Sequence, residues 1–516
     1  MYGSTAANKD SKTNVPNLSS SATTAASTKI SPTKRLIPLL ILLSSILFIS
    51  IKRNTGQSIE PNRLNDKFDS QTLASSSCDA GLPHEGISGY FDLPNSSTST
   101  RYFYYFSSAS DKQMKDAPLV LWMSGGPGCS SLLAAMMENG PCRVSRDEEG
   151  RARATTNAFG WNGEANVVWV DQPSGVGFSY DASGKEEEDM MFSHDQVAEN
   201  MLAFFHRWQE RFPESHNGEL YIFAESFGGH YAPAVGRRYF DAEKAGNAPP
   251  NLKLRGIGVG NGLTNPKVQY KYTAKFAYEN TYGIQAISKA EYKNVTENHL
   301  PTCEKKIEHC NDAKDFSVTS CSDAFTYCNS FLYAGYVQSG RNIYDIRKFG
   351  NFDDDMHAVS EFVSQDRVRE ALDAVAPVTF EACNMDVYMK FLDDWMKEYD
   401  EALPAMLNEG VNILIYAGDA DFICNWMGNL AWVEEMEWAG KDAFGTAEEI
   451  DFVLADGKAY GAGKSAKVGK GGGTLSFLRI FGASHMAPRD QPEATRAMLN
   501  RFMQQDGEVF IKPHMV

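Results

Sequence analysis

Positive charge is scarce in this chain. Its 516 residues hold 49 Lys and Arg against 66 Asp and Glu, a net charge of −17. Seven of those cations and one acid, Asp10, fall in the first 53 residues, which leaves 42 cations against 65 anions, a net of −23, in the rest. So acidic a body repels phosphate backbones and excludes nucleic acid as the main partner. No two of the nine cysteines have the C-x2-C spacing of common structural zinc sites. A phosphate loop of the G-x4-G-K-[ST] type is also missing. The Gly- and Lys-rich stretch Lys458–Gly473 leads into a strand and reads as a mobile surface loop. No internal repeat is present. With 22% charged and 42% hydrophobic residues, the chain is too apolar for a disordered protein and too long for a small binding module.

Long apolar runs are nearly absent as well. The one candidate, Leu36–Ile51, is 16 residues long and lies between Lys34-Arg35 and Lys52-Arg53. Residues 1–35 before it are polar and cannot build a core. The run is short for a spanning helix and near the upper limit for a signal-peptide core. Its basic flank comes first, which predicts a cytosolic N-terminus and a translocated body. The 35-residue leader and the lack of a small-residue cleavage site favour a signal anchor over a cleaved signal, making this segment the chain's membrane contact. Residues 52–85 read as a linker. A luminal body would make Asn95 and Asn294, each in an N-x-[ST] sequon, available for glycosylation.

Four cysteines have a symmetric spacing: Cys303 and Cys310 are seven apart, and so are Cys321 and Cys328. Seven residues are two helical turns, so each pair shares a helix face. Antiparallel packing would bring Cys303 to Cys328 and Cys310 to Cys321. Nested disulfides fit this pattern better than a four-thiolate zinc site. An odd total leaves at least one thiol free or paired with another chain.

From about residue 86 the chain alternates buried-strand and helix patterns. Pro118–Ser124, Asn166–Pro173, Leu220–Ser226, Leu254–Gly262, Val411–Asp419 and Leu475–Phe481 are short runs that end in Gly, Pro or Asp turns. Within Asp195–Phe212, Val197, Met201, Phe204, Phe205, Trp208 and Phe212 recur at helical spacing, as in a helix packed on a sheet. The alternation predicts an α/β fold with a mostly parallel central sheet and helices on both faces. Residues from about 265 to 395 lack strand signals and are too long for a loop, so they read as a helical insertion stapled by its own disulfides.

Three motifs end predicted strands. Ala224-Glu-Ser226-Phe-Gly228 is close to the G-x-S-x-G nucleophile elbow, with Ala for the first Gly. The second is Tyr416-Ala-Gly-Asp419-Ala-Asp421, and the third Gly482-Ala-Ser-His485-Met486. A serine hydroxyl needs a base, and a histidine base needs a carboxylate to fix its tautomer. The order Ser, Asp, His is that of α/β-hydrolases. This chemistry calls for no cofactor and no metal.

Through these motifs the chain resembles the serine carboxypeptidase family of the carboxypeptidase Y type. The matching pieces are Leu121–Ser131 (LWMSGGPGCSS), Val170–Pro173 with Gly177–Tyr180, Ala224–Gly229, Gly258–Pro266 (GVGNGLTNP), Tyr416–Trp426 (YAGDADFICNW) and His485-Met486. The likeness runs from about residue 86 to the C-terminus. It implies an α/β-hydrolase domain over 86–516, with Ser226, Asp421 and His485 as the catalytic residues. The oxyanion hole would be the N–H groups of Gly126 and Phe227. Gly125, Glu138, Glu225 and Ser124 would hold the substrate's free carboxylate, Ser124 replacing a family Asn. Leu133, Met137 and Met486 would line the leaving-residue pocket, and Leu263, Tyr270, Trp395 and Ile423 the pocket before the scissile bond. An acid such as Asp393 or Asp394 is a further candidate for these pockets. The resemblance also pairs Cys129 with Cys383, repeats the two nested disulfides, and leaves Cys424 a free thiol beside the acid. Cys78 and Cys142 remain, a bridge between them being one reading. Two further family disulfides have no cysteines here.

The expected function is release of C-terminal amino acids, preferably hydrophobic, from peptides and proteins at acid pH, in the secretory lumen, vacuole or lysosome. The alternatives are an acyltransferase on the same triad and a protective or binding partner.

Overall fold

In the strand β3 (Leu119–Met123) all five side chains are buried, because both faces of the sheet around it are covered. Leu119, Leu121 and Met123 belong to one apolar cluster and Val120 and Trp122 to the other, as the two-residue period of a strand requires. The helices His194–Arg211 and Gly228–Lys244 pack on the first face. Leu132–Met137, Asp354–Val363 and Pro492–Gln504 cover the second. The computed structural model describes residues 78, 86–93, 100–182, 193–312, 318–350, 354–374 and 378–510. These lie in the larger of two units, Ile49–Val516; the smaller one, Met1–Phe48, is outside the described residues.

The remaining strands are β1 (Gly86–Asp92), β2 (Thr100–Ser107), β4 (Cys142–Arg146), β5 (Ala152–Thr156), β6 (Asn166–Val170), β7 (Tyr180–Asp181), β8 (Glu219–Glu225), β9 (Lys253–Gly260), β10 (Asn412–Gly418), β11 (Ile450–Val453), β12 (Ala459–Lys467) and β13 (Thr474–Ile480). They form an eleven-stranded sheet of order β1-β2-β6-β3-β8-β9-β10-β13-β12-β11, with β7 on β2, and a separate β4–β5 hairpin. The six central strands, β6 to β13 along this path, run parallel. The edges are antiparallel. The six predicted strands are these six central ones. This is the α/β-hydrolase arrangement.

The predicted loop at Lys458–Gly473 is corrected by the structure: its Ala459–Lys467 part is β12, paired with β13 from Gly461 to Lys467. Its glycines are there for close approach. A Cβ on Gly463 would fall 1.9 Å from the Phe477 carbonyl oxygen, and one on Gly461 would fall 2.4 Å from that of Arg479.

The predicted helix at Asp195–Phe212 is His194–Arg211, with Ser193 capping it by accepting from the Gln196 amide and Phe204, Phe205 and Trp208 fully buried. Between β9 and β10 the described elements are helical. Leu300–Asn311 and Val318–Leu332 are joined by Cys303–Cys328 and Cys310–Cys321. Cys129–Cys383 ties the far end of this region to the turn after β3. Cys78, in the stretch read as linker, is buried and bonded to Cys142 at the start of β4. The apolar run at 36–51 and Asn95 lie outside the described residues. Among those described, no helix is long and apolar enough to cross a membrane. Asn294 is exposed at the end of the helix Lys289–Asn294, where its side chain accepts from Asn298.

Candidate active site

Ser226 follows β8 with φ of 63°, a left-handed conformation that costs a non-glycine residue about 1–2 kcal/mol. Three backbone bonds hold it there. Its N–H donates to Gly260 at 3.1 Å, and its carbonyl accepts from Gly229 and Leu263, both at 2.9 Å. The elbow needs small neighbours for a visible reason. A Cβ on Gly228 would sit 2.6 Å from the Ala224 methyl, so the alanine two before the serine is accommodated because glycine stands two after it.

Asp421 and His485 follow β10 and β13, so all three motifs open at the carboxyl ends of parallel strands. His485 Nδ1 meets Asp421 Oδ2 at 2.7 Å, and both side chains are buried. The Asp421 carboxylate also accepts from the amides of Ile423 (3.1 Å) and Cys424 (3.3 Å) and from the Asn261 side chain (2.9 Å). Asn261 was missed by the residue reading. It has φ of 41° and also accepts the Gly418 amide at 2.9 Å, so it joins the acid's turn to β9. The signal was the Gly260-Asn-Gly262 sequence, which permits a left-handed residue after a strand.

The turn after β3 packs against the elbow. A Cβ on Gly125 would lie 2.5 Å from both the Glu225 carbonyl and the Phe227 nitrogen. Gly126, with φ of 107°, is closed in by Cys129. Asp171, at the end of β6, anchors this turn. It accepts from Ser130 Oγ (2.6 Å), the Ser131 amide (2.9 Å) and the Phe178 amide (2.9 Å), while burial pushes its carboxyl up to about 6.

Glu225 precedes the serine and Glu138 caps the helix Leu132–Met137; both are buried, and each carboxyl acts on the other. Two carboxylates cannot share a dry site ionised, so the pair retains a proton. Burial, chiefly, pushes Glu138 up to about 7, and burial and then the charge of Glu138 raise Glu225 well above the usual carboxylate range. Oε2 of each acid is buried without a hydrogen-bond partner. Ser124 accepts from the Trp122 indole at 3.2 Å, and its hydroxyl proton is left to donate.

The pocket candidates fall on two sides. Leu133 and Met137 belong to the same apolar cluster as Trp122, with Met486 against it. Leu263, Tyr270 and Trp395 belong to the other, with Ile423 against it. The Phe227 ring lies against Trp395 at a tilt of 33°, centroids 4.9 Å apart, and the Trp395 indole donates to the Tyr270 hydroxyl at 3.3 Å. Asp394 does not reach either set as a free acid. It is buried, meets His194 Nδ1 at 2.5 Å and is paired with Lys397, and His194 first and Lys397 second hold its carboxyl well below the usual range against the effect of burial. Cys424 is buried and free, its thiol pushed far up by burial and by Asp421. Among the described residues Asp421, Cys424 and His485 offer ligand atoms within 4.8 Å of one another, and the first and last are already hydrogen-bonded to each other.

An α/β-hydrolase sheet with a strained serine after one central strand and a buried, hydrogen-bonded His–Asp pair after two others is the arrangement of serine hydrolases. The sequence comparisons narrow the class. The profile of the family described as serine carboxypeptidase matches residues 44–505, and the chain belongs to that family. Serine carboxypeptidase 3 of Hordeum vulgare is 36% identical over 433 residues, 82% of this chain and 80% of that protein. Carboxypeptidase Y homolog A of Uncinocarpus reesii is 36% identical over 425 residues, 81% of this chain and 74% of that protein. The crystal structure of a prohormone-processing carboxypeptidase from Saccharomyces cerevisiae shares the fold, with a TM-score of 0.69 at 23% identity, over 84% of this chain and 94% of that one. The chain is a serine-type carboxypeptidase.

Proposed function

We propose that the enzyme removes single, preferentially apolar residues from peptide C-termini at acid pH, through an acyl-enzyme on Ser226. The observation that carries the reading is the buried acid pair Glu138 and Glu225, the second directly before the nucleophile, each with an unpartnered Oε2. A protonated carboxyl donates to the free carboxylate of a peptide, whereas two ionised ones would repel it. Ser124 adds a hydroxyl donor where the family Asn would offer an amide.

His485 takes the Ser226 proton as the hydroxyl attacks the last peptide carbonyl, and Asp421 holds the imidazole in the tautomer that accepts at Nε2. The negative oxygen of the tetrahedral intermediate is held by the N–H groups of Phe227 and Gly126. Collapse expels the terminal amino acid, whose amine receives the proton from His485. Water then repeats the sequence and frees the shortened peptide. The apolar residues near Leu133 and Met137 suit an apolar leaving residue, and those near Trp395 an apolar one before the bond. Asp393 remains the acid nearest this second set in sequence. Four disulfides and the relatives suit an oxidising secretory or vacuolar lumen.

A blocked dipeptide such as benzyloxycarbonyl-Phe-Leu tests the reading. Release of free leucine below neutral pH supports it. Transfer of the acyl group to added alcohol without hydrolysis makes the protein an acyltransferase, and binding without turnover makes it a partner protein.

A further inference from the structure

His485 and Asp421 are 64 positions apart, on turns after and before β13, yet one short stretch from the helical region before β10 touches both turns. Ile343 accepts the Ile423 amide at 3.1 Å and the Ile346 amide donates to Ala420 at 2.9 Å, on the acid's turn. Between them, the carbonyl of Tyr344 accepts the backbone amide of His485 itself at 3.0 Å, and the Tyr344 ring lies 5.0 Å from the imidazole. Asn342 fixes the stretch by accepting the amides of Tyr344 (2.8 Å) and Asp345 (3.1 Å) on its side chain.

Side chains complete the attachment at Gly482, three residues before His485. Arg347 donates from Nη1 to the Gly482 carbonyl at 2.9 Å and is held in that pose by a two-pronged bond to the buried Asp345, at 2.8 and 2.9 Å. The Gly482 amide donates to Asp419 Oδ1 at 2.9 Å, and the same oxygen accepts the Tyr282 hydroxyl. Arg347 lies over the Tyr282 ring, 5.3 Å from its centroid. Both polar groups of Gly482 are thus held, directly or through Asp419, by residues of the helical region. Asp419, two before the acid of the pair, finds its use here.

We infer that Arg347 and Tyr282 are positioning residues for the acid–base pair, holding through Gly482 and the strap Ile343–Arg347 the orientation of His485 toward Ser226 and Asp421. The inference rests on the catalytic reading above. An imidazole whose backbone drifts loses its alignment with the hydroxyl while the substrate pockets stay in place, so the loss falls on turnover rather than on binding.

The test is steady-state kinetics on benzyloxycarbonyl-Phe-Leu, with enzyme concentration fixed by end-point titration with a sulfonyl fluoride. In Arg347→Gln and Tyr282→Phe, kcat per titrated site should fall about tenfold with KM within about twofold of the parent. Arg347→Lys keeps one donor and should recover a large part of that loss. Tyr282→Phe removes one oxygen and keeps the ring, so it reports even if the arginine variants fold poorly. Turnover per titrated site within about twofold of the parent in Tyr282→Phe overturns the inference, as does a rise in KM at unchanged kcat. Ser226→Ala separates the two readings. If it still turns over, the catalytic assignment fails; if it is inactive while Tyr282→Phe is normal, only the positioning role fails.

Discussion

Asn261 donates its side-chain amide to Asp421 Oδ2 at 2.9 Å, the same oxygen that His485 Nδ1 meets at 2.7 Å. The acid is thereby pinned from the β9 side as well as by its own turn. It lies fully buried, where an unpinned carboxylate would be costly. Asn261→Asp keeps the shape but sets a second acid against the first. One of the two must then take a proton, and kcat should fall at least about tenfold, with a lower melting temperature. Steady-state kinetics and a thermal melt would check this; a variant with parental kcat would show that the contact is incidental.

Ser226→Ala should lower kcat by about four orders of magnitude or more. The melting temperature should change little, because the serine is only partly buried and its backbone bonds, to Gly260, Gly229 and Leu263, survive the substitution. Circular dichroism melts alongside the kinetics distinguish a lost nucleophile from a lost fold.

KM for peptides with a free C-terminus should rise as pH climbs through about 7, the value to which Glu138 is pushed. Above it Glu138 loses its proton, and the pair takes on a negative charge that repels the substrate carboxylate. Peptide amides, which carry no terminal charge, should show a flatter KM. Glu225→Gln and Glu138→Gln should each weaken the pH dependence of peptide KM. A flat peptide KM through neutrality in the parent enzyme would remove the pair from C-terminal recognition.

The same pair should tilt stability. A carboxyl whose folded pKa is raised binds more protons folded than unfolded between its ordinary value and the raised one. Its contribution is therefore full below the ordinary carboxylate range and lost as pH rises through about 7. The slope is at most about 1.4 kcal/mol per pH unit for each retained proton. Denaturant midpoints measured from pH 5 to 7.5 should fall more steeply in the parent than in the double variant Glu138→Gln/Glu225→Gln.

Blocked dipeptides ending in Leu or Phe should exceed those ending in Lys by at least about tenfold in kcat/KM. Each buried methylene gains roughly 0.8 kcal/mol, and a lysine would bring a cation to Leu133 and Met137 with no acid among these residues. Asp394 is spent on His194 and Lys397, so it does not supply one. Equal rates on Lys and Leu would point to another acid, Asp393 first, to be tested by Asp393→Asn.

Much of this molecule follows from local pattern. β3, β6, β8, β9, β10 and β13 are buried over most of their length, so apolar residues and glycines dominate them, with few polar interruptions such as Arg255 and Arg479, and the strands stand out in the sequence. The elbow is legible because its geometry forces small residues around Ser226. Cys303–Cys328 and Cys310–Cys321 are legible because two helical turns set the spacing within each pair. β12 was not, since its glycines serve a close approach of two backbones and look, in one dimension, like a loop.

What the tertiary structure alone decided are relations between distant segments. The contacts of Asn261 with Asp421, of Tyr344 with His485 and of Arg347 with Gly482 join residues 135 or more apart. The fate of Asp394 was equally hidden, because an acid before Trp395 reads the same whether it lines a pocket or meets His194. Periodicity records which side of its own element a residue faces. It carries nothing about which other element arrives there, and the contacts at the turn of His485 are made by such an arrival.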